Sequence, residues 1–214
     1  MAKGKNRAQT EQAATARAEF ERKKRQKTLI TRGIGAIVLV AIAGSAGYCV
    51  IKDRELTQAT TTTQCPAGLH VAGTVAYKET PPMGGAHNVM WQNCGVYAVP
   101  IHNEHAVHAL EHGAVWITYR PDLPADQIER LRTLAADDYM LLSPYPDLPA
   151  PVVASSWNHQ VALQSANDAR LTTFITRYKN NPTTTPEFGA PCVGGTSATA
   201  TADSLQTGPG PMAR

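Results

Sequence analysis

The chain has 214 residues, 43% of them hydrophobic and 17% charged. That suits one ordinary domain with extensions and excludes a wholly disordered polyampholyte or a long coiled coil. The net charge of +3 is unevenly placed: residues 1–32 carry ten Lys/Arg against three Asp/Glu, whereas residues 52–214 carry ten against fourteen. An acidic body is unsuited to phosphate backbones, so no nucleic-acid partner is expected.

Residues 1–32 read as a basic cytoplasmic tail that lies on anionic lipid. Nineteen uncharged residues, Gly33 to Ile51, follow the cluster Arg22-Lys23-Lys24-Arg25 and precede Lys52, Asp53, Arg54 and Glu55. As a helix they extend about 28 Å, close to the hydrocarbon thickness of a bilayer. The positive-inside rule places the N-terminus in the cytoplasm and the rest outside, giving a single-pass plasma-membrane protein with an extracytoplasmic C-terminal domain. A cleaved signal peptide is the alternative, but the basic region is too long and the apolar stretch exceeds a usual h-region. The partner expected here is the lipid bilayer, with a membrane protein beside it.

Residues 52–69 are polar and Thr-rich and read as a linker, and residues 193–214 read as a disordered tail. Between them, residues 70–192 form the expected domain. Val71 to Tyr77 suits a short strand and Thr80 to Gly85 a loop. Glu104 to His112 suits a helix stopped by Gly113. Ala114 to Tyr119 is an apolar, β-branched strand. Pro124 opens a helix to about Ala136. Strands follow at Tyr139 to Ser143 and Val152 to Trp157, separated by a Pro-rich turn. Asp168 caps a last helix with Leu171, Phe174, Ile175 and Tyr178 on one face. The fold class expected is α+β: a single small mixed sheet with helices packed on it, preceded by one transmembrane helix. The strands joined by a helix should be parallel, and the pair joined by the Pro-rich turn antiparallel.

Cys49 falls in the anchor; Cys65, Cys94 and Cys192 fall in the exported part, where disulfides persist. Cys94–Cys192 is the favoured pair, because it ties the C-terminal extension back and closes a long loop, worth up to ~4.7 kcal/mol in the chain-entropy model. The competing reading makes Cys94 a metal ligand beside His87. No C-x-x-C is present, which argues against a dithiol oxidoreductase.

Five of the seven histidines, His87, His102, His105, His108 and His112, fall within 26 residues. At about 100° per residue, His105, His108 and His112 share an arc of roughly 60° on the helix, away from Val107 and Leu110. The His face is therefore not the helix's apolar face. His108 and His112, one turn apart, can address one ion, with His87 as a third ligand; imidazole suits Cu or Zn, and Met83 and Met90 offer soft sulfur to Cu(I). The alternative is structural: histidines that cap the helix end or bond a buried turn. A sharper reading takes His108-Ala-Leu-Glu111-His112 as the H-x-x-E-H of inverzincin metallopeptidases, with Glu111 as general base and Glu187 as a distant carboxylate ligand.

Four blocks, PPMGGAHNVMWQNCGVY, AVHALEHGAVWITYRPDLPADQ, LLSPYPDLPAPVVASSW and PEFGAPC, together resemble the bacterial domain-of-unknown-function family DUF3105 from about His70 to Cys192. Members of that family typically carry an N-terminal anchor. The resemblance implies that His87, Cys94, His108, Glu111, His112, Gly113 and Cys192 occupy signature positions, and that His102, His105, His159 and Cys65 do not. Ala86 departs from the usual Pro. No reaction is implied. The leading expectation is a membrane-anchored domain that binds Cu or Zn through His87, His108 and His112. The rivals are a non-enzymatic accessory subunit of an envelope or respiratory complex and a metal-dependent hydrolase.

Overall fold

The computed structural model describes Arg17, Glu19, residues 22–25, Lys27, residues 38–39 and 41–48, and residues 50–205. The chain divides into two compact units, Met1–Ile51 and Lys52–Arg214. In the first, the described residues are helical, and Val38, Leu39, Ile42, Tyr48, Val50 and Ile51 are exposed. Among the described residues no helix is long and apolar enough to cross a membrane. The span expected over 33–51 includes residues 33–37, 40 and 49, which lie outside the described set.

The second unit is a mixed α+β domain. Its strands are β1 (Thr60–Thr62), β2 (Gly95–Val96), β3 (Val115–Tyr119), β4 (Met140–Pro144), β5 (Val152–Ser156) and β6 (His159–Leu163). Its labelled helices are α1 (Asn103–Glu111), α2 (Ala125–Leu134) and α3 (Ala169–Tyr178). The six strands form one sheet in the order β1-β6-β5-β3-β4-β2. β3, β4 and β5 are buried at every position, as strands covered on both faces must be. Alternation sorts their side chains. Val115, Ile117, Met140, Leu142 and Ala154 join Leu131 of α2 and Leu171 and Phe174 of α3 in one core, while Trp116 and Leu141 join Val107 and Leu110 of α1 in the other.

β3 and β4, joined by α2, are parallel with Val115 opposite Met140. The strand after the Pro-rich turn does not pair with β4 as expected. β5 runs antiparallel to β3, with Trp116 opposite Ser155, because β4's other edge is taken by β2. The turn crosses the end of β3: Tyr145 N–H donates to Tyr119 O, Arg120 N–H to Pro151 O, and Arg120 Nε to Leu148 O. These bonds deliver β5 to β3's far edge.

Other expectations are corrected in the same way. Val71 to Tyr77 is not a strand. Gly73 has φ +92°, which breaks extension, and the segment is held by separate contacts rather than a ladder: Val71 N–H donates to His87 O, Val75 N–H to the Glu104 carboxylate, and the Tyr77 hydroxyl to Ala86 O. In the segment read as a linker, residues 52–59 are helical, Leu56 is fully buried, and Asp53 pairs with Arg177. Residues 60–62 then pair with β6, whose strand was not anticipated. In the segment read as a disordered tail, residues 193–205 are ordered along 91–101. Thr196 N–H donates to Trp91 O, Asn93 N–H to Thr196 O, and Ala200 N–H to Pro100 O. Residues 206–214 lie outside the described set.

Candidate metal centre

Helix α1 ends at a tight turn. Gly113 adopts φ +102° and its N–H donates to Leu110 O, while Ala114 N–H donates to Ala109 O, the left-handed stop that glycine permits. The turn is packed closely: a Cβ on Gly113 would lie 3.0 Å from Asn180 Cα and Thr185 Cγ2. The Glu111 carbonyl, left without a helical partner, accepts from Glu187 N–H. That bond brings the segment 187–192 against the helix end. The same segment is tied to 94 by the Cys94–Cys192 disulfide, whose Cα atoms lie 5.3 Å apart. Cys94 is therefore committed to sulfur and is not a ligand.

Every residue of α1 from Glu104 to Glu111 is buried. Its polar face meets the loop 85–92 rather than water. Three imidazoles are fixed there in one manner. His87 Nδ1 lies 2.8 Å from Gly85 O, His108 Nδ1 2.7 Å from Asn88 O, and His112 Nδ1 2.7 Å from Pro191 O. A carbonyl only accepts, so each Nδ1 carries a proton, and in the neutral ring each Nε2 keeps its lone pair. The rings adjoin: centroids are 4.7 Å apart for His87 and His108 and 4.6 Å for His108 and His112. Trp91 lies against His108 and His112, and Trp157 against His87, giving the cluster low-dielectric walls.

Glu111 reaches the same point from the helix. One carboxylate oxygen accepts from Gly68 N–H at 2.6 Å. The other lies 2.9 Å from His87 Nε2, with both side chains at 0% exposure. Neither Oε2 nor Nε2 has a hydrogen-bond partner. With Nδ1 alone protonated these two atoms are both acceptors; a second proton on Nε2, or a cation between them, reconciles the contact. Burial would raise the Glu111 pKa, yet His87 and the Gly68 amide outweigh it and hold the carboxyl below its ordinary range. Burial, and after it His112 and His87, push the His108 pKa down to about 3, so this imidazole is neutral at physiological pH.

Two sets of donor atoms result, each within 4.8 Å of one another: His70, His87, His108 and Glu111, and His108, His112 and Glu187. Glu187 lies 3.2 Å from His112 Nε2. The three histidines singled out from the sequence thus lie together, with Glu111 among them. His70, which spacing did not single out, is added by its bridge to His87. The backbone acceptors at Gly85, Asn88 and Pro191 have no signature in residue type. His102 Nε2 instead meets Asp203 O at 3.1 Å, His105 lies against His102, and His159 stacks on Tyr178; Cys65 belongs to neither set. As for the general base expected at Glu111, one of its oxygens is bonded to Gly68, the other faces His87, and the side chain has no exposure to solvent. The arrangement suits a ligand better than a base acting on bulk water.

A family model described as "Protein of unknown function (DUF3105)" matches residues 70–194. No curated protein and no solved structure matches the chain.

Proposed function

The chain belongs to the DUF3105 family of proteins of unknown function, and we propose that it is a single-pass membrane protein whose extracytoplasmic domain binds one transition-metal ion. The observation that carries the metal is the convergence of His70, His87, His108 and Glu111 on one point, with His87 Nε2 and Glu111 Oε2 2.9 Å apart, fully buried and joined by no well-aligned hydrogen bond. A carboxylate buried among imidazoles needs a compensating positive charge. An ion between them supplies it and uses the lone pairs that the Gly85, Asn88 and Pro191 carbonyls leave free. Fixing Nδ1–H on a carbonyl is how metal-binding histidines are oriented.

Imidazole and carboxylate donors without thiolate suit Zn(II) or Cu(II) over Cu(I). Binding, buffering or delivering such an ion at the cell surface is the role this supports. Anchoring rests on the uncharged stretch 33–51 behind a basic cluster, on the apolar side chains exposed between Val38 and Ile51, and on a disulfide that suits an oxidising compartment. X-ray absorption of the zinc-loaded full chain, purified from membranes in mild detergent, tests the ligation. Imidazole scattering that falls in His108→Ala supports it, and a shell of light scatterers without imidazole refutes it.

A second reading rests on the same buried pair. If His87 carries a second proton on Nε2, the His–Glu contact closes a structural network in an accessory subunit of a membrane complex. In that case added metal leaves the stability of the full chain unchanged.

A further inference from the structure

We propose that the two donor sets are two stations for one ion, an outer one where it is exchanged and an inner one where it is retained, with His108 shared between them. The inference rests on the metal-binding reading above and adds the route of exchange. The two sets have His108 in common. Its Nδ1 is committed to Asn88 O, so only Nε2 can ligate, and it can hold one ion at a time. Two ions cannot be bound together: without His108 the outer set keeps only His112 and Glu187.

The sets differ in completeness. His70, His87, His108 and Glu111 supply four donors, which close a tetrahedral shell; His108, His112 and Glu187 supply three, which leave a position open. Each set reaches solvent through one exposed member, Glu187 (43% of its side chain exposed) in the three-donor set and His70 in the four-donor set, whose His87 and Glu111 are fully buried. An incoming or departing ion is passed between ligands most readily where a position is vacant and solvent is near. The outer set has both properties, and a partner's imidazole, thioether or carboxylate can enter there. The adjoining rings of His112 and His108, and of His108 and His87, then carry the ion inward with His108 attached throughout. Exposed His70 closes the shell.

The test uses the full chain in lipid nanodiscs, titrated with copper(II) sulfate alone and followed by electron paramagnetic resonance. The expected result is a single ion at saturation, with two spectral components. Glu187→Gln removes the outer component and slows copper uptake about 10-fold, while the ion is still retained. His70→Ala, also at an exposed position, shifts intensity to the outer component. His108→Ala abolishes the outer component, left with two donors, and weakens retention at the inner set, left with three. Two ions at saturation, or one component that neither Glu187→Gln nor His70→Ala alters, overturns the two-station reading and leaves simple metal binding standing. A wild-type protein that binds no copper and no zinc overturns both.

Discussion

His87 Nε2 and Glu111 Oε2 lie 2.9 Å apart, fully buried, and no hydrogen bond joins them. The ring is turned so that its Nδ1 proton meets Gly85 O. The same orientation recurs in His108 and His112, each held by a carbonyl from a different segment. Three side chains so fixed present three lone pairs to one region of a helix end.

Metal should stabilise the domain by linkage. An ion held at 100 times its dissociation constant adds about 2.7 kcal/mol to the folded state. Thermal melts of the full chain with and without Zn(II) should therefore differ by several degrees, and His108→Ala should shrink the difference. An unchanged melting temperature in the wild type supports the structural network instead.

The disulfide supports the site at one remove. Cys192 follows Pro191, whose carbonyl orients His112. Reduction, or Cys94→Ser with Cys192→Ser, should loosen Pro191 beside His112 and weaken metal affinity about 10- to 100-fold. Competition against a chelator before and after reduction measures this. Equal affinities would separate the disulfide from the site.

Gly113 is held at φ +102°, and a Cβ there would crowd Asn180 Cα and Thr185 Cγ2 at 3.0 Å. Gly113→Ala should destabilise the domain by about 1–3 kcal/mol and displace His112 from Pro191. Urea denaturation gives the stability loss, and a parallel loss of metal affinity shows that the turn positions the histidine.

Asp168 caps α3, accepting from Arg170 N–H and pairing with its guanidinium. That hydrogen bonding holds the Asp168 carboxyl below its ordinary value of 3.8. A carboxyl depressed in the fold stabilises it at every pH above the unfolded value, and the contribution disappears as pH falls through the folded one. Asp168→Ala should cost about 1 kcal/mol at pH 7 and nothing once the wild-type carboxyl is protonated. Denaturation of both proteins over a series of pH values falling from 7 checks that the difference shrinks as the carboxyl protonates.

Much of the domain was legible because its signals are local. Gly113 marked the end of α1, Pro124 the start of α2, and the spacing of Leu171, Phe174 and Tyr178 the face of α3. The proximity of His108 and His112 followed from helical spacing. What was missed depends on distant partners. The three threonines of β1 are strand only because β6 lies beside them. β6 itself follows a hairpin turn without glycine, in which Asn158 takes φ +65°. Residues 193–205 have the composition of a tail, yet they lie along Trp91, Asn93 and Pro100, a placement that composition does not carry. Gly195 illustrates this, since a Cβ there would lie 2.2 Å from Trp91 O. His70 joins the histidine cluster through one bridge, and no spacing rule reaches across that loop.

The central claim is that the histidine cluster holds an ion, and elemental analysis of the full chain, purified in detergent without added metal and again after loading with Zn(II) or Cu(II), tests it most directly. About one zinc or copper per chain in the loaded wild type, and none in the His87→Ala/His108→Ala double variant, which leaves each donor set only two ligands, is the expected result. A folded wild-type protein that retains neither metal after loading would contradict the account and leave the buried His87–Glu111 contact as a structural pair.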